Sequence, residues 1–158
     1  MQVGAELQER YWYPDDGGQV WVAGYQLVGP DGRYLARDAP ELTQAGLRVA
    51  HVAGAGRHHA AALQSAAAAP GSTLLLRRDP GNEHDPNAIA VHTQRDEALG
   101  FVPRELAAEL APQLDRGIPW SAVVLREQRA SPRDPRTGIT MLLGREETLT
   151  LVLPAPRE

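Results

Sequence analysis

A chain of 158 residues, 42% hydrophobic and 23% charged, can bury one core with an appended piece but is too short for a helicase motor. With no cysteine it excludes disulfides, thiolate zinc sites and cysteine nucleophiles. Its net charge of −4 argues against a protein that coats nucleic acid, yet residues 1–46 hold seven acidic and three basic residues, whereas 47–152 hold twelve of each.

In chain order, the first elements are two apolar-rich runs, 20–28 and 33–37, around the turn signal Gly29-Pro30-Asp31-Gly32. That pattern predicts a β-hairpin, which being marginal alone should pack on or extend the sheet that follows. Trp12, Trp21, Tyr25 and Tyr34 would supply the contact by burying aromatic area. Residues 47–52 are strand-like, Gly54-Ala55-Gly56 is a break, and a short helix is expected from His58 or His59 to Ala67, ended by Pro70-Gly71. Runs at 72–77, 88–93 and 98–102 read as strands. Pro103 suits the first position of a helix, because the amide it lacks would have no helical partner there. Leu106, Leu110 and Leu114 give that helix one buried face; Pro112 should split or kink it, and Gly117 should end it. Strands are expected at 120–126 and 139–143, with a continuation at 148–153, around a turn-rich tip at 130–138. Several short strands with one or two inserted helices predict a mainly β fold, a small curled barrel with helical plugs.

The chain has only two asparagines, Asn82 and Asn87, and both lie in one loop with Asp79 and Asp85. Such residues bond back to their own backbone and make rigid connections, which Pro80 and Pro86 stiffen further. A stiff loop studded with acceptors is also what a site for a fixed hydroxyl requires.

The run Asn82-Glu83-His84-Asp85-Pro86-Asn87-Ala88-Ile89-Ala90-Val91, followed by Leu99-Gly100-Phe101-Val102-Pro103-Arg104-Glu105-Leu106-Ala107, resembles the signature of HIRAN domains. These are OB-like barrels found in eukaryotic fork-remodelling translocases and as free-standing bacterial proteins. The resemblance divides the chain into an N-terminal β-hairpin extension at 1–46, a HIRAN domain at 47–152 and a C-terminal tail at 153–158. It implies a module that grips the 3′-hydroxyl end of single-stranded DNA in DNA repair or replication-fork processing, and that is not an enzyme. Arg57, His58 and His59 match an Arg-aromatic-aromatic triplet in which the Arg meets phosphate and a ring stacks on a base. Asn82, His84 and Asp85 match the pocket loop, where the Asp accepts a hydrogen bond from the terminal 3′-hydroxyl. Arg104 matches a phosphate-contacting basic position at a helix start, where free amides also favour an anion. One member of the family carries tyrosine where His58, His59 and His84 stand, and imidazole offers less stacking area.

Rival chemistry finds little purchase. All five histidines fall between His51 and His92, but no pair has an H-E-x-x-H spacing and 79–85 does not fit a calcium loop, so no metal and no cofactor are expected. There is no G-x-x-x-x-G-K-[ST] loop, and Glu105, Glu109, Glu146 and Glu147 read as solvated charges rather than a hydrolase set. The alternative is a protein-interaction module on an OB-like groove that has lost DNA. Without a run of ~20 apolar residues or a basic-then-apolar N-terminus, the expected location is the cytoplasm. The expected partners are single-stranded DNA with a free 3′ end and a separate helicase or nuclease.

Overall fold

The computed structural model describes residues 4–15, 18–145 and 147–149, the side chains of 6–20 and 57 excepted. The fold is mainly β: one eight-stranded antiparallel sheet with short helices at its rim.

Strands β1 (Gly4–Asp15) and β2 (Gly18–Val28) form a hairpin that opens the chain. This corrects the expected pairing of 20–28 with 33–37. The Gly29–Gly32 turn does form, with the Gly32 amide donating to the Gly29 carbonyl at 3.0 Å, but the chain beyond it makes a single bridge, Val28 to Tyr34. The true partner strand was hidden by the adjacent charges Glu9 and Arg10, which break the short alternation of Ala5 and Leu7 with Glu6 and Gln8. β1 lies at the edge of the sheet, where polar residues and a proline such as Pro14 are tolerated because one side of the strand needs no ladder.

After α1 (Pro40–Gln44), which has proline in its first turn, β3 (Arg48–His51) leads to α2 (Ala55–His58) and α3 (Ala60–Leu63). The single helix expected at 58–67 is therefore broken. His59 sits between the two helices at φ −133°, ψ 38°, and a 3-10 turn at Ala66–Ala68 is capped by the Ser65 hydroxyl. α2 begins earlier than expected, because Gly54 at φ 80° turns the chain in and Gly56 lies flat on the neighbouring strand. A Cβ at Gly56 would come within 2.6 Å of the Thr137 carbonyl oxygen.

Next come β4 (Thr73–Arg78), β5 (Ile89–Thr93), β6 (Ala98–Phe101), α4 (Arg104–Asp115), β7 (Ser121–Arg129) and β8 (Arg136–Gly144). Pro103 is the N-cap of α4, one residue before its expected place. Pro112 lies inside α4 without ending it: both Pro112 and Ala108, whose carbonyl loses its amide partner, face solvent, so water can replace the missing bond. Leu110 is fully buried, Leu106 and Leu114 pack beside it, and Gly117 at φ 83° follows the helix end. The strand expected from Thr148 is not found: Glu147–Leu149 is a helical turn closed by the Leu149 amide on the Arg145 carbonyl at 3.0 Å, and 150–158 lie outside the described residues.

β7 organises the sheet. One edge pairs with β8, while the other is shared between β4, at Val123 and Ala122, and β2, at Arg126 to Arg129. Gly24 makes the second contact possible, since a Cβ there would lie 2.2 Å from the Leu125 carbonyl oxygen. The order β1-β2-β7-β4-β5-β6, with β3 on β8, leaves β6 and β3 without a ladder between them, so strand ladders do not close the expected barrel. An isolated bridge between Ala53 and Phe101 spans that gap. The main core lies inside the curl and includes Leu63, Leu74, Ile89, Leu99, Leu110 and Met141. A second core on the outer face joins Leu27 and Leu42 to Leu47, Leu125 and Leu142.

Candidate functional site

Three segments singled out by the sequence meet at one end of β5 and β6. The Val102 amide donates to the Ile89 carbonyl at 3.0 Å, which sets the start of α4 beside the end of the 79–88 loop. Ala53 and Phe101 exchange two hydrogen bonds, at 2.8 and 3.0 Å, which brings α2 to the same edge. Gly100 permits this crossing: a Cβ there would sit 2.3 Å from the Ala53 carbonyl oxygen.

The loop between β4 and β5 is held by its own side chains. The Asn82 side-chain oxygen accepts the amides of His84 and Asp85 at 2.9 and 3.1 Å, and its nitrogen donates to an Asp79 carboxylate oxygen at 3.1 Å. Asp85 Oδ1 accepts the Asn87 amide at 2.9 Å. Among the described residues its Oδ2 has no donor. Asp85 is half-buried, so its carboxylate is fixed on one side and open on the other. His84 is exposed at the crest. The bland role for these residues, turn formation, is therefore real for Asn82 and takes only half of Asp85.

Sequence reasoning missed the clamp on this loop. Arg78 donates to the Ala88 carbonyl at 2.7 Å and the Pro86 carbonyl at 2.9 Å, while its Nε meets Asp115 at the end of α4 at 2.9 Å. No local signal points to this arginine, because its carboxylate partner lies 37 residues away.

Around the loop, Arg104 opens α4, is exposed, and has no hydrogen-bond or ion-pair partner among the described residues. The unpaired amides of the first helical turn lie behind it. His58 is exposed and His59 half-buried, their rings edge-to-face at 6.5 Å between centroids. Arg57 is placed in α2, but its side chain lies outside the described residues. His58 also lines a cleft of about 510 Å³ that runs to Gln128 and Ile139. Among the described residues no three of His, Asp or Glu stand where they could hold a metal ion. No described helix is long and apolar enough to cross a membrane.

A family model for the HIRAN domain matches residues 48–143. The chain belongs to the HIRAN domain family. Among solved structures, this HIRAN chain is similar to a protein from Lactobacillus plantarum, at 26% identity and a TM-score of 0.50, over 61% of this chain and 89% of the other. It is also similar to the HIRAN domain of human HLTF, at 25% identity and a TM-score of 0.46, over 66% of this chain and 80% of that one. The HLTF domain has also been solved in a DNA-bound conformation. A Fanconi-associated nuclease 1 homolog from Oryza sativa subsp. japonica is 49% identical over 49 residues, 29% of this chain. The match covers only 5% of that nuclease's length.

Proposed function

We propose that this HIRAN domain binds single-stranded DNA and reads its free 3′-hydroxyl end, as a module without a catalytic step of its own. The observation that carries the reading is the half-engaged carboxylate of Asp85, held on a clamped loop beside an unpaired arginine at a helix start. A carboxylate accepts a hydrogen bond from a hydroxyl but repels a terminal phosphate, so its open oxygen selects one kind of end. Arg104 and Arg57 take phosphates, His58 and His84 stack on the last bases, His59 backs His58, and Asn82 keeps the loop in shape. Stacking supplies sequence-tolerant affinity of about 1–3 kcal/mol per base, and the acceptor supplies the selection.

The same proposal assigns 47–152 to the DNA-binding domain and 1–46 to an extension of it. It sets the protein in the cytoplasm, in DNA repair or fork processing, where a separate helicase or nuclease would act on the end it holds. The test is fluorescence anisotropy with three short single strands: one ending in 3′-hydroxyl, its 3′-phosphate twin and a circular strand, each at several salt concentrations. The 3′-hydroxyl strand should bind tightest, and all binding should weaken with salt. Equal affinity for the three strands would remove end reading; salt-independent behaviour would favour an OB-like groove that binds a protein segment instead.

A further inference from the structure

The outer face of the sheet, away from the 79–88 loop, is divided. Its lower half is covered by the second core, where Leu27, Leu42 and Leu47 seal Leu142. Its other half carries clefts between side chains that are partly exposed, over a floor that includes the buried Val22 and Thr140. There the register sets His51 of β3, Thr140 of β8, Arg126 of β7 and Gly24 of β2 in one row, with Gly138, Gln128 and Val22 in the next. Residues directly opposite one another share a face, so these rows form a polar strip three inter-strand spacings wide, about 14 Å.

Two clefts lie along the strip and share Gln128. One is the 510 Å³ cleft that begins at His58; the other, of about 260 Å³, is closed by Arg37 from the N-terminal extension and by Arg126. Between them the linings, among the described residues, contain two arginines and two histidines and no aspartate or glutamate, in a chain with 20 acidic residues and a net charge of −4. Neither arginine meets a carboxylate among the described residues. Arg48, Arg77, Arg78, Arg129 and Arg136 each meet a carboxylate, whereas Arg126 donates only to the Tyr25 carbonyl and the Gln26 side-chain oxygen. Arg37 has no partner among the described residues and is exposed.

We propose that this strip is a second binding site, for the phosphodiester backbone of the same single strand on the 5′ side of its end, with phosphates on Arg37 and Arg126. The inference rests on the end-reading function above and extends it to a part of the chain, Arg37, that lies outside the matched 48–143 segment. Continuity carries it: α2 meets the end site through Ala53, His58 opens the first cleft, and Gln128 joins the first cleft to the second. The glycines help, since Gly54 and Gly138 line the path and leave room for a backbone to approach. The N-terminal extension thus adds contact length to a pocket that by itself holds only the last nucleotides.

The experiment uses the full chain with two probes, a thymidine trinucleotide and a thymidine dodecamer, both ending in 3′-hydroxyl. The parent should bind the dodecamer more tightly and with a steeper salt dependence. Arg37→Gln and Arg126→Gln together should weaken the dodecamer about tenfold and lower its salt slope by about 0.7 for each arginine, leaving the trinucleotide unchanged. Arg126 tethers β2, so Arg37→Gln alone, which removes no described contact, must show its own share of the loss. Unchanged dodecamer binding in the variants, or equal weakening of both probes, overturns the second site while end reading stands. A parent that binds neither probe overturns both.

Discussion

The 79–88 loop and the polar strip across β3, β8, β7 and β2 use their polar atoms in opposite ways. The loop's turn-forming groups are committed: Asn82 bonds three times, Arg78 of β4 bonds two loop carbonyls and a carboxylate, and Asp85 keeps one oxygen back. On the strip the charges are free, with Arg37 unpaired and Arg126 resting on neutral oxygens. A committed loop has little conformational entropy left to lose and can tell one chemical end from another. Free arginines give attraction that depends on charge count and salt rather than on geometry. The two regions therefore divide selectivity from affinity, and the variants below should separate them.

The largest effect belongs to Arg78→Ala. The Pro86 carbonyl loses the arginine that holds it and the loop loses its tie to α4, at a cost of roughly 2–3 kcal/mol. Little of that comes from the ion pair, since the Asp115 side chain is 55% exposed. Thermal unfolding should fall accordingly, and the preference for 3′-hydroxyl over 3′-phosphate should fall with it. If the melting point drops but the preference stays, the loop's rigidity is not what selects the end.

Asp85→Asn separates those two quantities. The amide oxygen can still accept from the Asn87 amide, so stability should change by less than about 1 kcal/mol. The charge that repels a terminal phosphate is gone, so affinities for the two ends should converge. A variant that keeps the parent's end preference would move the selecting group elsewhere.

Arg104→Ala should do the reverse. With no described partner to lose, stability should stay within about 0.5 kcal/mol of the parent. All single strands should weaken alike, the salt slope should fall by about one phosphate's worth, and the ratio between ends should not move. A change in that ratio would mean Arg104 reads the end rather than the backbone.

How much of this was legible follows from the range of the interactions. β5 and the apolar face of α4 were readable because period-two and period-four burial is local, and the Asn82–Asp85 cluster was readable because its bonds span two or three residues. β1 was not, because Glu9 and Arg10 stand together in mid-strand and an edge strand tolerates such charges. The break at His59 was not, because α2 is held by its packing on Thr137 rather than by its own propensity. Arg78 and the strip were least legible, as both depend on residues brought together only by the sheet: Asp115 with the loop, and Arg37 with Arg126.

The smallest effect tests the two exposed histidines, His58 and His84. A histidine that meets a phosphate holds its proton more tightly in the complex than in the free protein, because the neighbouring negative charge favours the cation. By linkage, affinity for a 3′-hydroxyl strand should rise as pH falls. End preference should persist, since it rests on Asp85 rather than on the histidines. The measurement is Kd between mildly acidic and mildly basic pH at fixed salt, beside a His58→Phe, His84→Phe double variant. Both positions are exposed, so the variant should fold. It should also bind at least as tightly at high pH, because phenyl rings stack over more area. A flat parent profile, or the same slope in the double variant, would take these two rings off the strand and leave the arginines and Asp85 to hold the end alone.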